Sequence, residues 1–231
     1  MQKTLTPALL AELRRIGTCV VSNAIETFHV RLRNAGFADS TIRCIFPDFP
    51  PMVGYAVTAK VRTSEPPMGG QRVYYDRTDW WNNLLAMPAP RVVVVEDAGQ
   101  PPGVGSLVGE VHANILLSLG CAGLVTNGAV RGLDGVGRIG FQMFAGNVTP
   151  SHAYSHIFEF GGPVELAGLK IQPGDLIHGD RHGIVTIPLE IAADIPRVAS
   201  QILEKDSRII SLCKSPDFSL EKLREVIKEL G

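Results

Sequence analysis

The stretch Arg91-Val92-Val93-Val94-Val95-Glu96-Asp97 constrains the chain more than any other, because four consecutive β-branched residues without polar alternation fit a strand covered on both faces. Such a strand belongs in a parallel sheet with helices packed over it. The residues beyond Asp97 agree: a glycine-rich segment from Gly99 to Gly109, helical spacing over about 109–119, and a second apolar strand, Gly123-Leu124-Val125-Thr126. Strand, helix, strand in that order makes a right-handed crossover between parallel neighbours.

The remaining elements arrange themselves around this unit. Thr6-Pro7 starts a helix, as N-cap and first helical residue, with Leu9, Leu10, Leu13 and Ile16 as its apolar stripe up to Gly17. A second helix covers about 20–30, turn signals including Pro47, Pro50 and Pro51 fill 33–53, and Gly54 to Val61 alternates as a strand. Helical spacing returns over 73–87 around Trp80, Trp81, Leu84 and Leu85. Beyond residue 140, short segments between glycines and prolines (Phe141–Ala145, Val164–Leu166, Leu169–Ile171, Asp175–His178 and Gly183–Ile187) predict strands of a second, tightly turned β layer. Helices near 189–213 and 218–230 close the chain. With 24 Gly and 16 Pro in 231 residues there are many turns but no linker, so one α/β domain over 1–231 is expected, with a partly parallel central sheet and terminal helices at about 1–30 and 189–231.

Charge narrows the function classes. Twenty-two Lys+Arg against 23 Asp+Glu give a net charge of -1, which provides no general attraction to nucleic acid or to an anionic membrane. Charged residues make up 19%, below the roughly 25% of soluble domains, which predicts surface hidden in a homo-oligomer. Cys19, Cys44, Cys121 and Cys213 are far apart and form no C-x-x-C pair, so they are expected as buried free thiols of a reducing compartment. The beginning of the chain lacks a leader-like apolar core, and no run of 18 apolar residues occurs, so a cytoplasmic protein is expected.

Several residues bear chemistry. Gly103-Val104-Gly105-Ser106-Leu107-Val108-Gly109 opens a helix after a strand but is spaced G-x-G-x-x-x-G, and Thr126-Asn127-Gly128 offers no acidic ribose partner, which argues against a dinucleotide site. The helix N-terminus itself remains an anion binder through the amides of Gly109, Glu110, Val111 and His112. Arg131 follows the next parallel strand, and strand C-terminal ends share one crevice, so its guanidinium can grip a carboxylate beside those amides. His152 and His156 are four apart, and His178, Asp180 and His182 cluster further on. Metal ligation competes there with histidines satisfied by backbone and packing, and Asp175 and Asp180 have turn-stabilising positions.

Taken together, Gly105 to Ala113, Gly120 to Arg131, Pro173-Gly174-Asp175 and Asp180 to Pro188 resemble the 4-hydroxy-4-methyl-2-oxoglutarate aldolase family, which includes the regulator of ribonuclease activity A. The resemblance covers roughly residues 18 to 190. It implies a swivelling β/β/α fold, trimers or hexamers, and lyase chemistry that releases pyruvate from 4-hydroxy-4-methyl-2-oxoglutarate, with oxaloacetate decarboxylation alongside. By the same resemblance Gly109, Glu110, Val111 and His112 bind substrate, Arg131 holds its carboxylate, Glu110 relays a proton, and a divalent ion, magnesium or manganese, assists. The family's metal-site aspartate directly follows the arginine; here that place is Gly132, and the nearest carboxylate is Asp134. A non-catalytic member that binds a protein partner such as a ribonuclease is the alternative.

Overall fold

In the computed structural model, which describes residues 4–69 and 77–230, local chemistry starts the first helices. The Thr6 hydroxyl accepts from the Leu9 amide at 3.2 Å and Pro7 supplies a helical φ, giving α1 (Pro7–Leu13). Gly17 precedes α2 (Thr18–Glu26), which ends before the expected residue 30: the Thr27 hydroxyl donates to Ala24 O at 2.8 Å, and His29 has a positive φ of 52°. The middle of the chain then alternates strands and helices. These are β1 (Arg43–Cys44), β2 (Met52–Arg62), α3 (Arg77–Ala86), β3 (Arg91–Asp97), β4 (Ser106–Val108), α4 (Glu110–Ser118), β5 (Cys121–Val130), α5 (Leu133–Arg138) and β6 (Gln142–Val148). Residues 73–76 of the expected helix over 73–87 lie outside the described residues. The last third comprises β7 (His156–Phe160), β8 (Val164–Leu166), β9 (Leu169–Ile171), β10 (Leu176–Asp180), β11 (Gly183–Ile187), α6 (Ile195–Lys214) and α7 (Leu220–Leu230).

The expected parallel unit forms the centre. The main sheet runs β1-β6-β5-β3-β2-β10-β11, with β2, β3, β5 and β6 mutually parallel, β4 beside β5 and β7 antiparallel along β2. Of the segments expected in a second β layer, β6, β10 and β11 instead join this sheet, and β8 with β9 forms the separate two-stranded ribbon. Their short, glycine-punctuated form could not distinguish a second sheet from an antiparallel edge of the first.

Burial explains the valine run. Val92 and Val94 point into one core cluster with Ala56, Val125, Phe144 and Ile177, while Val93 and Val95 point into another beneath α3, α4 and α5 with Trp80, Leu84 and Leu116. A third cluster seats α1, α2 and α6 on β2, β10 and β11 through Leu13, Val21, Tyr55, Leu176 and Ile195. The sheet curls strongly: a Cβ at Gly179 on β10 would stand 2.8 Å from the Phe144 ring on β6, four strands away, so the first cluster fills a nearly closed barrel. The strand ends that matter for ligands therefore converge on one rim.

The cysteines correct one expectation. All four are free, but only Cys121 is buried and Cys44 half-buried; Cys19 and Cys213 are exposed on helical surfaces. Burial pushes the Cys121 thiol up to about 11, the nearby Arg91 opposing.

Candidate active site

At the barrel rim, β4 and β5 end side by side, with Val108 paired to Val130 and the Arg131 amide donating to Val108 O at 3.4 Å. The chain leaves β4 through Gly109, the N-cap of α4, and leaves β5 through Arg131. These are C-terminal ends of parallel strands, where ligands collect in open α/β sheets. Gly109 has no side chain with which to cap α4, so the amides of the first turn receive no side-chain acceptor from it. The same missing side chain makes room for arginine: a Cβ at 109 would lie 3.2 Å from Arg131 Nε and 3.3 Å from its Cγ. Arg131 and the amides of 109–112, placed together from sequence, thus line one cleft of about 770 Å³.

Within the cleft Arg131 is held but not neutralised. Its Nη1 donates to Pro150 O at 3.2 Å, its Nη2 donates to His152 Nε2, and its Nε is buried with no partner among the described residues. It forms no ion pair with a described carboxylate. A guanidinium beside the positive end of a helix is unfavourable unless an anion joins them. Glu110 does not supply that anion, for its carboxylate lies over Gly135 of α5, where any Cβ would overlap it, 3.6 Å from the Arg138 guanidinium. His112 is buried with its Nδ1 at 3.1 Å from Leu107 O, and exposed Val111 and Val148 flank the opening.

The expected metal ligands do not assemble. Asp134 is exposed in the first turn of α5 and is not among the residues lining the cleft. Gly132 caps that helix in a left-handed conformation (φ 65°), and a Cβ there would stand 3.2 Å from the Glu110 amide. Among the described residues no three His, Cys, Asp or Glu side chains are grouped to hold an ion. Asp134 therefore fails as the substitute for an aspartate at 132, because the α5 backbone carries it away from the cleft, and this donor set does not fit a resident divalent ion.

The histidines separate. His152 enters the cleft; His156 is buried on β7, its Nδ1 at 2.7 Å from Tyr154 O. Four-residue spacing brings no pairing because the segment is a tight turn rather than a helix, with Ser155 N donating to His152 O and Ala153 at a positive φ of 45°. His178 is fully buried between Thr18 Oγ1 (3.0 Å from Nδ1) and Leu13 O (3.1 Å from Nε2), and the Asp180 carboxylate accepts from the Thr18 and His182 amides. Asp175 accepts from the Gln172 amide, as a turn aspartate does. The glycine-rich segment is likewise structural: buried Asp97 accepts from the amides of Gly99 and Gly103 and from the Thr63 hydroxyl.

Sequence reasoning missed the contact of His152 and Pro150 with Arg131. The signal was present, since β6 is the parallel neighbour of β5 and the segment after it must emerge beside the segment after β5; Val130 pairs with Val148.

Known proteins share this fold. A family model described as RraA-like, Aldolase/RraA, matches residues 18–186. The chain belongs to the RraA-like family. A protein of Halalkalibacterium halodurans provisionally named 4-hydroxy-4-methyl-2-oxoglutarate aldolase is 31% identical over 113 residues, 46% of this chain and 53% of that one. An uncharacterized protein of Methanocaldococcus jannaschii is 33% identical over 91 residues, 39% of this chain and 44% of that one, so these matches reach only about half the length of either relative. Among solved structures, an uncharacterized Pseudomonas syringae protein aligns over 97% of this chain and 96% of its own with TM-score 0.76 and 22% identity. Streptomyces coelicolor RraAS2, described as an unusual member of the RNase ES inhibitor RraA family, aligns over 90% of this chain and 99% of its own with TM-score 0.67 and 22% identity. These two likenesses establish the fold. Among the described residues no helix is long and apolar enough to cross a membrane.

Proposed function

We propose that this RraA-like chain is a lyase for small 2-oxo diacids, cleaving 4-hydroxy-4-methyl-2-oxoglutarate-type aldols to pyruvate and decarboxylating oxaloacetate. One observation carries the reading: an arginine without a described carboxylate partner shares a cleft with the uncapped head of α4. Two positive elements in one pocket call for a ligand with more than one negative charge. In both substrates the bond that breaks is C3–C4, and its electron pair goes to the pyruvate enolate. The companion product is a second pyruvate from the aldol and carbon dioxide from oxaloacetate. Arg131 holds the carboxylate beside the 2-oxo group and stabilises the growing enolate charge, while the α4 amides hold the second acid group. Glu110 borders the cleft with its carboxylate resting on α5 near Arg138, and it is assigned the proton transfer, accepting the aldol hydroxyl proton from that edge of the pocket.

The chemistry that magnesium or manganese supplies in the resembled aldolases rests on the resemblance alone, and no step here is routed through it. The four free thiols support a reducing, cytoplasmic setting. The near-neutral charge supports neither nucleic acid nor a membrane as partner.

Pyruvate release is measured with a coupled lactate dehydrogenase assay on both substrates, with added magnesium or manganese and with chelator. Turnover is expected from the native chain. Arg131→Ala, which removes one charge-assisted contact of about 1.5–3 kcal/mol, should lower kcat/KM by about 10- to 150-fold. Because free ions decarboxylate oxaloacetate unaided, protein-free samples at the same ion concentration serve as the blank. Glycine at 132 and the missing ligand cluster favour the second reading, a family member that binds and regulates a protein such as a ribonuclease. Absence of turnover under every ion condition would sink the lyase and leave that reading.

A further inference from the structure

We propose that His152 is the positioning residue of the anion site: it aims the Arg131 guanidinium at the ligand. This rests on the lyase reading above, since it concerns the same cleft. Arginine only donates hydrogen bonds, so the contact between Arg131 Nη2 and His152 Nε2 needs the lone pair at Nε2 and the ring hydrogen at Nδ1. Pro150 O takes Nη1 from the same loop, and the two contacts together fix the plane of the guanidinium. Both acceptors are uncharged, so Arg131 is oriented while its positive charge stays available to an anion. A carboxylate in that place would have oriented it equally well and consumed the charge.

The loop is built to hold this pose. Ser106 N donates to Ser151 O at 3.0 Å, Ala153 N to Ser151 Oγ at 2.9 Å, Tyr154 N to Thr63 O at 3.1 Å and Ser155 N to His152 O at 3.1 Å. Ala153 accepts a positive φ of 45° within it, a conformation that persists only where neighbours impose it. Gly105 completes the fit, because any side chain there would overlap the His152 carbonyl. The second glycine of the G-x-G-x-x-x-G segment thus serves the close approach of the histidine loop rather than a pyrophosphate.

Fixing a long side chain before the ligand arrives removes an ordering cost from binding. Oxalate, a planar mimic of the pyruvate enolate, is the probe, titrated calorimetrically into the full chain. His152→Ala should weaken oxalate by about tenfold, and His152→Gln, whose amide oxygen can replace the Nε2 acceptor, should restore affinity to within about threefold. The Arg131 Nε–H resonance in a ¹H–¹⁵N spectrum without ligand gives a readout independent of binding: sharp in the native chain and in His152→Gln, broadened in His152→Ala. Native binding of oxalate with affinity and resonance unchanged in His152→Ala would overturn the role of His152 and leave the anion site standing. A native chain that binds no oxalate would overturn both.

Discussion

At the scale of single residues, the site turns on what glycines permit. Gly109 lets Arg131 lie over the start of α4, Gly105 admits the histidine loop, and Gly135 gives the Glu110 carboxyl its seat on α5. Gly132 differs, because both its positive φ and its surroundings oppose a side chain. Gly132→Asp would place an L-residue in left-handed space, costing about 1–2 kcal/mol, and its Cβ would press on the Glu110 amide at 3.2 Å. In a chain of this size that corresponds to a melting point lower by roughly 2–8 °C. The same change adds a carboxylate directly after Arg131, at the rim of the cleft. Calorimetric titration with Mn²⁺ should find saturable binding in the variant and none in the native chain, and oxalate without metal should bind the variant more weakly through anion repulsion. A variant that binds Mn²⁺ no better than the native chain would show that position 132 is not what keeps an ion out.

Between elements, the junction of α1 and α2 is clasped by β10 through alternate residues. His178 spans from the last carbonyl of α1, Leu13 O, to the first hydroxyl of α2, Thr18, and Asp180 two positions on accepts the Thr18 amide. Burial lowers the His178 pKa, only partly opposed by the Leu13 carbonyl and Asp180. Burial pushes Asp180 up, but bonds from the amides and side chains of His182 and Thr18 outweigh it and leave the carboxyl below its usual range. Both groups bind protons more readily in the unfolded chain, so stability rises with pH across their range. The His178 contribution is complete above its unfolded pKa of about 6.5 and is lost as pH falls from there towards its lower folded value. The Asp180 contribution is complete above about 4 and fades as pH drops through its folded value. Thermal melts should therefore show a falling melting point from pH 7 to 5, with a shallower slope in His178→Asn; an equal slope would remove His178 as the cause. None of this was legible in the sequence beyond the expectation that these histidines are packed, because the partners Leu13 and Thr18 lie about 160 residues away. The parallel core was legible because Val92 to Val95 leave a strand no exposed face. The Arg131 and α4 pair was legible because parallel strands end together. The fate of Asp134 was not, since it depends on the path taken by α5, and the merger of β10 and β11 into the main sheet depends on long-range pairing that local turn signals do not encode.

For the whole molecule, the curl of the sheet gathers ligand-facing strand ends on one rim and leaves apolar side chains exposed beside them. Val111 is 76% exposed and Val148 50%, and both line the cleft. Elsewhere Leu203, Ile210, Phe218, Leu220 and Ile227 are exposed along α6, α7 and the turn between them, and α7 buries none of its described residues. A chain with only 19% charged residues has little means to solvate such surface alone, and association of identical copies is the usual way to cover it. Light scattering at micromolar concentration should give three or six times the 24.9 kDa chain mass. Val111→Lys, a solvent-facing change on the first turn of α4, separates the two apolar regions. If the cleft rim is the covered surface, the charge should lower the mass towards a single chain and, by opening the pocket to water, weaken oxalate. If the α6–α7 surface carries the contacts, the mass should survive Val111→Lys and fall with Ile227→Lys instead. A native mass of 24.9 kDa at that concentration would refute association and leave both apolar regions bare on a monomer.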